Sequence, residues 1–512
     1  MNRRKLFPPV LLFFALWCGG AVPAWSEDTT QEIHQADSAR KPAEAQPCAR
    51  EGEKFEVTRH TLELAGGGLL NYTATAGYLR LVDESGKPQA DIFFTAYTAE
   101  GQTEARPLTF AFNGGPGASS MWLHMGMAGP VLAMTEQKAP AGRSVASNPF
   151  SWLAYTDLVF IDPIGTGFSR AIPAENAKQY FNTKSDISST GDFIQHYVGR
   201  FGRWNCPKCL AGESYGAMRA AGLLRYLYEN AGMEIDGLIL ISPALDLNMI
   251  HQDISNDLPF MLFVPSYAAT AWYHKKTGPE LQSGLSEVLA EAEKWAVEQY
   301  LPALAMGQRL SSPDTDRIAA RLSSLTGISE QLIRNRNLRI TRREFVNELL
   351  RLQGLSLGFM DGRTTQRTTG GGFLDDPLMV MTIESYTGAL NEYMRDVLHF
   401  SPGMPYIFFS QEANSGWNWG TVFSGDDAVE SIRRAFNRNG RLKVLAAAGY
   451  FDLDVPYFAS TYAMSHLGID PKQAANIKIR FFPGGHMFYT TSETLEEFNR
   501  EVATFFTDIT GT

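Results

Sequence analysis

A serine stands between two glycines in "LAGESYGAMRAAG", residues 210–222, directly after an apolar run. A serine hydroxyl is a weak nucleophile until a turn exposes it and a neighbouring base takes its proton. The pentapeptide from Gly212 to Gly216 fits G-x-S-x-G, and so does Gly354-Leu355-Ser356-Leu357-Gly358, so context has to choose between them. "CPKCLAG" before Ser214 is strand-like, and "SYGAMRAAGLLRYLYEN" carries a helical period. A strand, a sharp turn and a helix in that order lift a serine oxygen above a sheet. Ser356 follows the helical "EFVNELLRLQ" and precedes "MDGRTTQRTTGGG", which reads as disordered. Ser214 is therefore the candidate nucleophile, and Ser356 is expected to be structural.

The base should lie downstream of such a serine. "NIKIRFFPGGHMFY" places His486 just beyond a strand on a glycine-freed loop; of the other histidines, only His124 falls near a second loop of interest. The orienting acid should leave another strand end between the two, where "RLKVLAAAGYFDLDVP" offers Asp452 and Asp454. A tetrahedral oxyanion also needs preorganised N–H donors. "TFAFNGGPGASS" is a strand feeding a glycine loop, in which Gly114 and Gly115 bring the backbone close, with the Tyr215 amide as a second donor. The loop lacks the Lys-Ser/Thr of a phosphate cradle. Asp162 in "FIDPIGTGFS" reads as loop architecture.

These residues need a sheet to hold them. Short apolar runs such as "RPLTFAF", "TDLVFID", "GLILIS" and "NIKIRFF" each end in a Gly- or Asp-containing loop, with helical patterns between several of them. Buried runs alternating with helices predict an α/β fold, a mostly parallel sheet covered on both faces. Residues 246–385 are helical and poor in strands, as expected of a cap inserted above the sheet. The core then falls into residues 54–245 and 386–512.

At 512 residues and 44% hydrophobic, the chain can bury a large core. Its formal net charge of −10 and lack of a long basic run argue against nucleic acid as a partner. The densest cationic stretch, "IRNRNLRITRREF" at 333–345, reads as a solvated helical face. "NRRK" followed by "LFPPVLLFFALWCGGAV" reads as a signal peptide over residues 1–26, with a flexible leader at 27–53. Lipidation of Cys18 and a retained anchor are the weaker alternatives. No further segment is apolar and long enough to span a membrane, so no stable insertion is expected after cleavage. Cys48, Cys206 and Cys209 remain, either as a small local disulfide plus one thiol or as free thiols. No metal-spaced cluster is evident, and neither metal nor organic cofactor is implied.

Taken together, "NGGPGASS", "DPIGTGFS", "GESYG", "GYFDLDVP" and "GGHM" resemble the serine carboxypeptidase family in type and order, spanning residues 113–487. The resemblance implies an α/β hydrolase with a helical cap and a Ser214–Asp452–His486 triad, Asp452 rather than Asp454 matching the family's acid. It further implies Gly115 and Tyr215 as oxyanion donors. The family binds a free C-terminal carboxylate with an asparagine, a tryptophan and two acids sharing a proton. Asn113 and Glu213 match the first of these and one acid, while Gly114 and Met487 line the same pocket. Ala111 stands where the tryptophan is expected and Met127 where the second acid belongs, so half of the clamp is missing.

The expected activity is release of C-terminal residues from peptides by an exported enzyme. An esterase or acyltransferase on the same triad is the first alternative, and a noncatalytic binding protein of hydrolase ancestry the second.

Overall fold

The computed structural model describes residues 53–102, 105–134, 144–282, 284–367, 373–420 and 428–511. The expected signal peptide, the leader through residue 52 and Cys48 lie outside the described residues.

Among the described residues the main sheet has a path of nine strands, β1 (Phe55–Glu63), β2 (Leu69–Val82), β3 (Pro88–Ala99), β4 (Leu108–Phe112), β5 (Asp157–Ile161), β6 (Lys208–Glu213), β7 (Gly237–Ile241), β8 (Lys443–Gly449) and β9 (Ile477–Phe482), and a short tenth, Arg170–Ala171, pairs with β3 off this path. Their spatial order is β1-β2-β3-β5-β4-β6-β7-β8-β9. The first three strands form an antiparallel meander joined antiparallel to β5, and every pairing from β5 to β9 is parallel. Every residue of β4, β5, β6 and β7 is buried, as expected for parallel strands covered on both faces. The two-residue period then divides each strand between two cores. Phe110, Leu238, Leu240 and Ala446 enter one core, and Ala111, Ile239, Ile241 and Ala447 the other.

Helices α1 (Thr183–Arg200) and α2 (Tyr215–Ala231) pack together on the first face. The chain between β7 and β8 is largely helical. In it, α3 (Leu258–Tyr273) is apolar nearly all round and correspondingly buried, with α4 (Leu285–Trp295) and α5 (Ser312–Thr326) packed against it. Helix α6 (Pro377–Glu392) is continuous through residue 385, where the sequence reading set the end of the inserted block. The C-terminal α7 (Ser492–Thr510) buries Leu495, Phe498, Val502 and Phe506 in the second core.

Two expectations need correction. The basic stretch at 333–345 is not a solvated helical face: a helix ends at Asn335, another starts at Arg342, and Ile333, Leu338, Ile340 and Phe345 are buried. Four of its five arginines are paired across elements, Arg334 with Asp316, Arg336 with Glu344, Arg339 with Asp257 and Arg342 with Asp454. The start of "MDGRTTQRTTGGG" is ordered rather than disordered, with Met360 and Asp361 buried and Arg363 ion-paired to Asp361. Of the two states left open for Cys206 and Cys209, the structure has the free thiols, and their side chains enter different cores.

Candidate active site

Ser214 follows β6 and precedes α2, with φ 58° and ψ −126°. A non-glycine residue reaches this region only where its surroundings impose it. The glycines explain how the chain can crowd here. A Cβ on Gly212 would lie 2.1 Å from the Gly216 oxygen, and one on Gly114 2.6 Å from the Tyr215 nitrogen. Strand end, helix start and the Asn113–Gly115 loop are thus in direct backbone contact. Tyr215 opens α2, and first-turn amides have no acceptor within their own helix. Ser356 instead lies buried in a two-residue strand paired with Thr365–Gln366.

The Nδ1 of His486 lies 2.7 Å from Asp452 Oδ2. The other Asp452 oxygen accepts the amides of Asp454 and Val455, each at 2.8 Å, so the carboxylate is fixed. Both residues are buried. Burial raises the Asp452 carboxyl and by itself would lower the imidazole, yet attraction to Asp452 outweighs it and His486 holds its proton more tightly than usual. The His486 amide donates to the Met360 carbonyl, which ties the histidine loop to the segment misread as disordered. Asp454 is held by Arg342 at 2.6 Å. His124 is elsewhere, stacked on Phe160 and bonded to the Tyr97 hydroxyl, and burial lowers it to about 3.

One pocket is lined by Asn113, Gly114, Gly115, Glu213, Ser214, Asp454, His486 and Met487. Ala118, Trp122, Met360, Met379 and Phe409 complete an otherwise apolar wall. The Asn113 amide donates to Glu213 Oε2, while its own oxygen accepts the Leu123 amide at 3.0 Å. The Tyr489 hydroxyl donates to Glu213 at 3.0 and 2.9 Å, spanning both oxygens. Burial raises the Glu213 carboxyl to about 7 despite His486 and these donors, which favour its ionised form. Met127 is fully buried in the second core, as is Ala111, and neither lines the pocket.

Three residues that hold this site escaped the sequence reading. Arg219, 1% exposed, donates to Asp186 at 2.7 Å and to the Asn113 carbonyl at 2.7 Å, pinning the loop to α2. Tyr406 joins the Ser120 amide and hydroxyl on Asp162 Oδ1, linking the two glycine loops. Tyr489 is the third. Each makes its contact far along the chain, beyond the reach of local pattern.

A mostly parallel sheet with a serine elbow after a central strand, a histidine after the last strand and an acid between them defines an α/β hydrolase. The sequence model of the serine carboxypeptidase family matches residues 66–477, and the chain belongs to that family. A carboxypeptidase Y homolog of Arthroderma benhamiae is 28% identical over 160 residues, 30% of this chain and 30% of that protein. Serine carboxypeptidase-like 44 of Arabidopsis thaliana is 31% identical over 176 residues, 32% of this chain and 33% of that protein. The chain thus spans about a third of the length of these curated relatives. Among solved structures, the Saccharomyces cerevisiae prohormone-processing carboxypeptidase Kex1 superposes with a TM-score of 0.55 at 16% identity. That alignment covers 85% of this chain and 91% of Kex1, a likeness of fold.

Proposed function

We propose that the protein is a serine carboxypeptidase that releases C-terminal residues from peptides through Ser214, His486 and Asp452. The observation that carries this reading is one pocket in which Ser214, His486, Asn113 and Glu213 meet, with Asp452 already bonded to the histidine. Ser214 Oγ attacks the scissile carbonyl as His486 Nε2 takes its proton, and Asp452 holds the Nδ1–H tautomer. The Gly115 and Tyr215 amides receive the oxyanion. The tetrahedral intermediate expels the amine, which takes the proton from His486. Water, deprotonated by His486 in turn, then hydrolyses the acyl-enzyme and restores Ser214.

Glu213 and Asn113 face the C-terminal carboxylate, and Trp122, Met360, Met379 and Met487 give the pocket a preference for apolar residues. Residues 246–385 supply most of the cap, and residues 1–26 direct export. Among the described residues, no helix is long and apolar enough to cross a membrane.

An esterase on the same triad is the second reading, favoured by one observation. Ala111 and Met127 are buried away from the pocket, so two of the family's carboxylate-binding groups have no counterpart at those positions. A fluorophosphonate probe tests the shared chemistry: it should modify Ser214, located by mass spectrometry of the digest. A label on Ser356, or none at all on folded protein, contradicts both readings.

A further inference from the structure

The segment carrying Met127 packs against the turn that carries Tyr489. Tyr489 is 1% exposed, and its hydroxyl reaches both oxygens of Glu213. Asn113 holds Oε2 from another direction. A carboxyl group gripped on both oxygens is held in one orientation, and Glu213 lines the pocket in that state. We propose that Tyr489 is the positioning residue for Glu213, occupying the role of the acid replaced by Met127, and that its hydroxyl sets the pH below which a free C-terminal carboxylate is preferred. The inference rests on the carboxypeptidase reading.

The exchange of an acid for a phenol changes the physics of the subsite. Two carboxyl groups sharing a proton titrate as a coupled pair. Tyr489 instead ionises far above the usual tyrosine range, because burial and the neighbouring Glu213 oppose its charge, and so it remains a neutral donor. Glu213 then titrates as a single group. The groups facing it are Tyr489, Asn113, His486, Asp452 and Tyr386. Burial pushes Glu213 up, and His486 and the hydrogen bonds from Tyr489 and Asn113 pull it back, leaving it near about 7. Protonated, Glu213 donates to a substrate carboxylate; ionised, it repels one.

The test is kcat/KM for an N-blocked dipeptide and for its C-terminal amide from pH 4 to pH 9. In the parent protein the acid-to-amide ratio should fall through a single-proton transition. In Tyr489→Phe the midpoint should rise by about one pH unit or more, because ionised Glu213 has lost a donor. With 3-fluorotyrosine at position 489, a stronger donor of nearly the same shape, the midpoint should move down. Glu213→Gln should abolish the transition. Midpoints unchanged by both Tyr489 replacements overturn the role given to Tyr489 and leave the carboxypeptidase reading standing. A ratio near unity at every pH in the parent protein overturns that reading and this inference with it.

Discussion

Ser214 carries its hydroxyl on a backbone conformation that only the crowded elbow sustains. Removing that hydroxyl in Ser214→Ala should lower turnover roughly 10³-fold or more, as triad deletions do. Ser356→Ala, within a small hairpin, should leave turnover nearly unchanged. Steady-state rates of the two purified variants check this. The two aspartates of "DLD" should separate just as clearly. Asp452→Asn removes the acceptor that fixes the His486 tautomer, so kcat should fall by about 10³- to 10⁴-fold. Asp454→Asn weakens a part-exposed ion pair with Arg342 and should have a modest effect. Equal losses at equal folding would refute the assignment. The proposed serine, histidine and acid could be picked out in the sequence because such chemistry fixes both residue type and position after a strand, and the structure brings His486 to Asp452 and Ser214 into one pocket with His486. Tyr489 could not be, since it meets Glu213 across 276 residues and reads locally as one more aromatic in a loop.

At the scale of elements, Arg219 on α2 holds the glycine loop through the Asn113 carbonyl and is itself fixed by a buried ion pair with Asp186 on α1. Arg219→Leu leaves Asp186 without its charge partner and should cost about 3–5 kcal/mol of stability, read by urea unfolding. It also frees the Asn113 carbonyl, so surviving folded enzyme should label more slowly with fluorophosphonate. An unchanged unfolding midpoint would show that the pair does not stabilise the fold, and an unchanged labelling rate that Arg219 does not hold the loop. The strands themselves were readable, because a parallel strand buried on both faces must be a short apolar run. The arginines at 334, 336, 339 and 342 were misread for the converse reason. Each finds an acid on another element, and charge density along the chain does not reveal partners brought in by folding. Likewise, the turn at Met360 is tied to distant segments, its carbonyl accepting from the His486 amide, the Gly362 amide donating to the Phe451 carbonyl and Arg363 donating to the Pro483 carbonyl.

At the scale of the whole molecule, two cores meet on one sheet, and the site lies where strand ends leave them. Burial raises the acids around it, Glu213 to about 7, Asp162 to about 6 and Asp452 upward from the ordinary carboxyl range. Each of these carboxyls keeps a proton over part of the range between roughly pH 4 and 7 that it would lose in the unfolded chain, so its contribution to stability should fall as pH rises through that window, whereas His124, lowered to about 3, contributes in the opposite direction. Asp162→Asn keeps an oxygen for Ser120 and Tyr406 while removing the ionisation, so between pH 4 and 6 its unfolding midpoint should fall less, or rise more, with pH than the parent's. Identical pH slopes would show that Asp162 does not carry the effect. The central claim is tested most directly by following a peptide with a free C-terminus by mass spectrometry during incubation with the enzyme, beside Ser214→Ala. The account predicts a ladder of products shortened from the C-terminus one residue at a time, absent with the variant. Internal cleavage, or an untouched peptide under conditions in which the enzyme hydrolyses a simple ester, would contradict it.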